Sequence, residues 1–435
     1  MRMHLGLAFL VGSATAPVWA DTPADTPPSI EKLIAQLGDG NFKVREAATK
    51  ALAERAEKAL PIMRKAQPHP DAETRTRLTK LIADADRAVL LSPKRVSLKL
   101  EQVPVKEALA ALAKESGYRL ELQGSSQQSV SIDVTNVTFW EAFDQLCVAG
   151  GLVLQQHYDN TNGLTVYSQN SFAPHVDHRG PFRLSAVSFN YSKSLQFASL
   201  PRNQLAPGQR SESLTFMFSI VAEPRLPLLG LGTPKLTYAV DDNGSNLLPP
   251  ALGREYQTSY GGFYGSYRNQ MLQTQVQLGG HGGSASGVRI LRGTVPITFL
   301  AEQRPEIVIE KIADVKKQKF EGKDVTLEID EVKITNGKQH QILMTARRGG
   351  KDTNNYDYTW TNSLYQRIEV TDEKGQKFQS HGFNWNTGTP SSVTGTYMFG
   401  DGGNAGMGKP FKLTYYGWIT QQYPVEFEFK ELPLP

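Results

Sequence analysis

Several short stretches of this chain carry residue types that could do chemistry. His175-Val-Asp177-His178 places two imidazoles and a carboxylate within four positions, a zinc-type set. A closed site needs a third or fourth ligand from elsewhere, and the stretch falls in polar residues 168–180 that read as a solvated linker. Gly280-His281-Gly-Gly-Ser284 offers a base and a hydroxyl. Nucleophilic catalysis needs both held in place and a third group orienting the base, and a glycine tract holds neither. Asp241-Asp242-Asn243-Gly244 and Asp401-Gly-Gly-Asn404 carry calcium-type oxygens but fall short of an EF-hand ligand set and match turn chemistry. Gly230-Leu-Gly232-Thr-Pro234-Lys235 lacks the Gly-Lys-Ser/Thr ending of a phosphate loop, and Pro234 removes an amide donor. No catalytic residue, metal site or cofactor is expected from these stretches.

One stretch is a ligand-binding candidate. Tyr260, Phe263, Tyr264 and Tyr267 stand among glycines inside residues 249–287, a long Gly-, Tyr-, Gln- and Ser-rich segment that reads as a loop. Exposed aromatic rings give large rigid contact area at low entropic cost. The same rings could instead tuck onto a neighbouring sheet. Cys147 is the one cysteine. It cannot form an internal disulfide and lies on a periodic helical stripe beside Leu146, so a buried, inert thiol is expected. Glu107 and Glu141 lie off the apolar stripes and read as solvated.

The elements that must position these residues follow from composition and periodicity. The chain has 435 residues, 39% hydrophobic and 21% charged, enough apolar content for folded cores in two to four domains. Net charge is +4, with Lys and Arg interleaved among Asp and Glu, which argues against a nucleic-acid partner. A basic start, the apolar run Leu5 to Val11 and Val18-Trp19-Ala20 form a signal peptide over residues 1–20, with the cut after Ala20. The run is too short for a membrane anchor, which takes about 20 apolar residues. No later stretch is long enough either, so the mature chain is expected to have no transmembrane segment and to work in the periplasm, at the cell surface or in the medium.

Residues 29–90 carry helical stripes: Ile30, Leu33, Ile34 and Leu37; Val44, Ala47, Ala48, Ala51 and Leu52; Leu78, Leu81, Ile82 and Ala85. They predict three helices, the middle one long, with Ser29 and Asp71 as N-caps. The stretch from Leu37 to Ala48 resembles a HEAT repeat, the helical-hairpin unit of α-solenoids. That resemblance implies that Asp39 and Arg45 tie a short turn to the following helix.

Residues 96–168 hold an internal duplication. Val96-Ser-Leu-Lys-Leu-Glu-Gln-Val103-Pro-Val-Lys-Glu-Ala-Leu109 aligns without a gap on Val130-Ser-Ile-Asp-Val-Thr-Asn-Val137-Thr-Phe-Trp-Glu-Ala-Phe143, an offset of 34 residues from Val96 to Val130. Each copy reads as strand, helix, glycine, strand, and Asn162-Gly163 as a hairpin turn. The repeat resembles the short N-terminal (STN) domain of secretins and TonB-dependent receptors. The resemblance implies a periplasmic module that binds partner proteins or stacks into rings. Nothing downstream resembles the membrane barrel of those families.

From Pro181 the pattern becomes strand-like, for example Leu214, Phe216, Phe218 and Ile220; Val325, Leu327 and Ile329; Val425, Phe427 and Phe429. This predicts antiparallel β-sandwich architecture over 181–435, as one body or as two tandem sandwiches at 181–250 and 289–435. Residues 236–244 and 367–375 resemble each other as strand plus turn. The fold class expected is therefore multidomain α+β: HEAT-like helices, a small βαβ-repeat domain and a large sandwich region.

The expected function is an exported bacterial envelope protein that acts as a non-enzymatic adaptor or scaffold for envelope proteins. The alternatives are a carbohydrate-binding protein or carbohydrate-active enzyme acting on polysaccharide, motivated by the aromatic loops and by Trp360, Trp385 and Trp418, and an accessory component of a secretion or outer-membrane assembly.

Overall fold

The computed structural model describes residues 28–155, 163–169, 173–196, 209–249, 264–279, 285–334, 339–349, 359–404 and 406–435. The signal segment, Tyr260, Phe263, His281 and Ser284 lie outside them. The chain is mixed α/β with a large β-rich region. It forms two compact units, one up to Leu91 and one from Ser92 to Pro435.

The first unit has four helices: α1 (Ile30–Gln36), α2 (Phe42–Glu54), α3 (Ala56–Ala66) and α4 (Ala72–Leu91). The long middle helix expected from periodicity is cut at Arg55, whose φ of −111° and ψ of 22° lie off the helical region. Leu33, Leu37, Leu52, Met63, Leu78 and Ile82 build one core. Ser29 Oγ accepts from the Lys32 amide and Asp71 Oδ1 from the Thr74 amide, so both expected N-caps form. Arg45 does meet Asp39, but through the backbone. Its Nη1 donates to the Asp39 carbonyl at 2.7 Å, while the Asp39 carboxylate accepts from the Asn41 amide at 2.7 Å. Arg75 repeats the bond before α4, donating to the His69 carbonyl at 2.9 Å, again six residues back. The unit is thus two helix–turn–helix pairs whose second helices start with the same tie.

The second unit begins with β1 (Arg95–Pro104), α5 (Val105–Ser116), β2 (Arg119–Gln123), β3 (Ser129–Thr138), α6 (Phe139–Gly150), β4 (Leu152–Leu154) and β5 (Gly163–Ser168). The two strand–helix–strand copies are present, but they do not share one sheet. The first strands pair antiparallel, β1 with β3, and the second strands meet through β5 in a sheet ordered β2-β5-β4. Both sheets and both helices close over a single core containing Val96, Leu109, Val130, Phe139, Trp140 and Phe143. Burying aromatic side chains of this size stabilises by about 2–3 kcal/mol each.

The duplication reaches the backbone. Gln102 and Asn136 occupy equivalent positions and both are left-handed, with φ of 51° and 54°. The Gln102 amide donates to Ser131 Oγ at 3.0 Å and the Asn136 amide to Ser97 Oγ at 2.9 Å, so each copy satisfies the bulge of the other. Gly117 and Gly151 end the two helices with φ of 75° and 56°, where a Cβ would be strained.

The body contains β6 (Val176–Arg179), β7 (Phe182–Gln196), β8 (Gln209–Ala222), β9 (Leu228–Leu231), β10 (Lys235–Asp241), β11 (Tyr264–Asn269), β12 (Met271–Leu278) and β13 (Gly287–Glu310). It continues with β14 (Gln318–Glu321), β15 (Val325–Ile334), β16 (Gln339–Arg348), the short α7 (Thr359–Asn362), β17 (Ile368–Thr371), β18 (Gln379–Thr389), β19 (Ser392–Gly400) and β20 (Lys412–Pro433).

A long antiparallel pair, β13 with β20, runs through the body in a sheet ordered β11-β9-β13-β20-β17, with β10 also on β13. A second sheet, β12-β8-β7-β6, covers one part of it: Phe216 and Phe218 meet Phe429 and Phe427 with centroids 5.2 and 4.9 Å apart. A third, β14-β15-β16-β19-β18, covers another part around Ile309, Leu327, Met344, Tyr397, Phe399 and Tyr415.

Two expectations change here. Residues 168–180 are not only linker, since β6 pairs with β7. Residues 249–287 are not one loop, because β11 and β12 form within them; buried Leu272, Val276 and Leu278 supply strand periodicity that the glutamines hide. Across the boundary between 181–250 and 289–435, β10 pairs with β13.

The resemblance of 236–244 to 367–375 is nonetheless structural. After β10, the Asp241 amide donates to the Ser245 carbonyl and Leu247 pairs back to Ala239. After β17, Asp372 donates to Gln376 and Phe378 pairs back to Val370. Gly244 and Gly375 fill the same turn position with φ of 84° and 78°.

Candidate functional site

The site is a cleft of about 440 Å³ in the second unit, where the end of α5 meets the sheet body. That volume suits a small organic group or a peptide end. One wall is Gly117 and Tyr118, placed by the left-handed end of α5. The Tyr118 ring stands edge-on to Phe139, centroids 4.9 Å apart, and its hydroxyl donates to Glu223 Oε2 at 2.7 Å. Burial first, then the Glu223 carboxylate, pushes the Tyr118 hydroxyl well above its ordinary pKa.

Glu223 is fully buried at the end of β8. Its carboxylate also accepts from the Lys94 amide at 2.9 Å and from Arg225 Nε at 3.0 Å. A buried carboxylate is tolerated when charge-paired and hydrogen-bonded. Here that pairing fixes Arg225 in the cleft wall, and the Arg225 Nη2 bond to the Ser92 carbonyl holds its other end.

The opposite wall comes from β13. Its register against β20 slips between Leu300 and Glu302, leaving Ala301 as a bulge, and Leu300, Ala301, Glu302 and Gln303 line the cleft. Bulges re-aim side chains in this way. Glu302 is committed to Arg304 by two contacts of 2.7 and 2.8 Å.

The remaining lining residue is a cation, Arg268. Arg268, on β11, stacks its guanidinium 5.1 Å from the centre of the Trp418 ring, and Arg367 packs on the same ring at 4.1 Å. Arg268 Nη2 donates to the Gln366 carbonyl at 2.5 Å, and Gln303 turns its amide oxygen to Arg268 Nη2 at 2.6 Å and Trp418 Nε1 at 3.1 Å. Arg268 Nε is buried without an acceptor. Among the described residues neither Arg268 nor Arg367 has a carboxylate within ion-pair distance. Burial and the neighbouring Arg367 charge pull the Arg268 pKa down to about 10, so it remains a cation at neutral pH.

A second polar cluster lies beside α6. Arg183 Nε donates to both carboxylate oxygens of Asp144 at 2.8 and 2.9 Å, and His178 Nε2 lies 2.7 Å from Asp144 Oδ2. Burial raises the Asp144 carboxyl, but the His178 hydrogen bond and the Arg183 charge outweigh it and hold it below the usual range. With the Trp140 Nε1 bond to the Pro181 carbonyl at 2.9 Å, this cluster fastens α6 to β6 and β7.

The residues singled out from sequence fall as follows. Tyr264 and Tyr267 lie on β11, the strand that delivers Arg268 to the cleft. His178 binds Asp144, and Asp177 accepts from Arg179 Nε and the Glu428 amide, so this stretch ties strands together. Among the described residues no group of His, Cys, Asp and Glu could hold a metal. Asp241 and Asp401 accept from the Ser245 and Gly403 amides, which is turn chemistry, and Asp242 accepts from the Ser286 amide, a tie to the start of β13. Gly230 lies in β9, and the Gly232 amide bonds the Pro296 carbonyl. Glu107 and Glu141 are exposed, and Glu141 also closes a capping box with Thr138. Cys147 is buried, which pushes its thiol pKa up. Trp360 is buried against the Tyr415 hydroxyl and Trp418 is covered by arginines; of these three only Trp385 is exposed.

Arg268, Arg367, Gln303, Glu223 and Asp144 were not singled out from sequence, and Trp418 was named only as a possible sugar-stacking ring. The available signal was a charge beside an apolar strand, as in Ile220-Val-Ala-Glu223-Pro-Arg225. Among the described residues no helix is long and apolar enough to cross a membrane, a statement that leaves β-barrels aside. Comparison with protein-family models, with curated proteins and with solved structures finds no match to this chain.

Proposed function

We propose that this chain is an exported bacterial envelope protein that binds a partner without transforming it, an adaptor whose docking point is the cleft between the end of α5 and β13. The cleft's carboxylates support this reading above all. Glu223 is saturated by Tyr118, Lys94 and Arg225, and Glu302 is chelated by Arg304. A general base must be within reach of a substrate proton and carry a suitable pKa. These carboxylates are spent on holding the walls, which suits a binding site. The paired strand–helix–strand copies support an STN-like module, the two tied helix pairs a HEAT-like one, and the facing sheets a β-sandwich body. Export rests on the N-terminal signal pattern.

The test is site-specific photo-crosslinking in envelope extract. A crosslinking residue at Glu302, on the cleft rim, is expected to trap a reproducible adduct. The same residue at exposed Lys323, between β14 and β15, is expected to trap none. Equal labelling at both positions, or none at either, refutes docking at the cleft.

Polysaccharide binding is a second reading, favoured by one feature. Trp385 is exposed on β18, which ends the β14-β15-β16-β19-β18 order, and its ring lies where a Cβ on Gly388 would be 2.8 Å away. The ring thus sits over Gly388 of the same strand, with Asn384 and Asn386 as its chain neighbours. Loss of glycan retention in a Trp385→Ala variant would favour it.

A further inference from the structure

Resting on the cleft as the docking point, we infer that the group it accepts is a carboxylate monoanion, such as a peptide C-terminus or a small organic acid, seated against Arg268. A charge count carries the argument. Arg225 is balanced by Glu223 at 3.0 Å, and Glu302 by Arg304 at 2.7 Å. Arg268 is left over: it lines the cleft, and among the described residues no carboxylate lies within ion-pair distance of it. Desolvating a guanidinium without a counter-ion is costly, so the cleft gains by admitting one negative charge.

The geometry is prepared for this. The guanidinium plane is fixed by Trp418, by the Gln366 carbonyl and by the Gln303 amide oxygen, which leaves Nη1 with only a long 3.2 Å contact to Gln303. Nη1 is thus the donor open to a carboxylate oxygen, in a charge-assisted bond from a guanidinium already held rigid. Pro224, Pro227 and Leu300 supply apolar wall for the body behind the charge. A phosphate dianion fits less well, because Arg367, the other cation without a carboxylate partner, does not line the cleft, and Glu302 stands on the rim.

The test uses the full mature chain and reads intrinsic fluorescence, since Trp418 touches Arg268 directly. The probes are benzoate, its uncharged isostere benzamide, and inorganic phosphate. Benzoate is expected to change the signal saturably, with benzamide and phosphate each at least tenfold weaker. Arg268→Met is expected to lose the benzoate response while keeping the circular dichroism spectrum; Arg268→Lys is expected to retain part of it. Equal binding of benzoate and benzamide, tighter binding of phosphate, or an unchanged response in a folded Arg268→Met protein overturns the assignment. If Glu302 crosslinking succeeds while benzoate fails, the cleft docks its partner through other chemistry and only this inference falls. If crosslinking fails as well, the docking role falls with it.

Discussion

Arg183→Met isolates the tie between α6 and the sheet body. The Arg183 side chain is 9% exposed and binds both oxygens of Asp144, itself 17% exposed. Removing one partner of a buried pair costs about 3–5 kcal/mol. Asp144 keeps some access to water and retains His178 at 2.7 Å, which brings the expected loss to about 2–3 kcal/mol. With a urea slope of about 3 kcal/mol per molar, the unfolding midpoint should fall by about 1 M. The pH dependence follows from the lowered carboxyl. In the native chain Asp144 contributes stability above its unfolded pKa, about 3.9, and loses it as pH falls through the lower folded value. Without Arg183 the carboxyl loses two of the interactions that hold it down, so it rises. The gap between variant and parent should therefore be widest near neutrality and close on acidification. A double variant, Arg183→Met with Asp144→Leu, should recover part of the loss. A gap that ignores pH, or a double variant as destabilised as the two single losses added, refutes the reasoning.

Three further outcomes are expected. Ser97→Ala and Ser131→Ala should each cost about 0.5–1 kcal/mol, in near-equal amounts, and each should speed amide exchange only at its own partner, Asn136 or Gln102. Gly117→Ala and Gly151→Ala should each lower the thermal midpoint through a left-handed strain of about 1–2 kcal/mol, whereas Gly40→Ala, with open space around it, should not. His340 packs against Phe378 and Phe399, and burial pulls its pKa down despite the Asp401 charge. The unfolded chain therefore binds that proton more readily, and native stability should fall as pH drops below about 6.5. His340→Phe should flatten that slope in urea titrations run from pH 7 to pH 5.

Sequence periodicity was enough to place α1, α5, α6, β8, β15 and β20, because one face of each is apolar at the spacing of its own geometry. The gapless 34-residue offset also held, down to the paired left-handed Gln102 and Asn136. Local signals did worse where composition masks pattern. The glutamines of β12 hid a strand, and the stripe across Arg55 hid a helix end.

What the sequence determined by itself is the set of local units: caps, turns, helix glycines and the two copies of strand, helix and strand. Each depends on residues a few positions apart, whose sterics and hydrogen bonds are fixed before the chain closes. Only the tertiary structure decided that the first strands pair with each other in one sheet and the second strands in another. It alone joined β13 to β20 and brought Arg268, Gln303 and Trp418 together from three distant strands. Those choices depend on long-range burial and on which charges find partners, and neither is encoded at any single spacing along the chain.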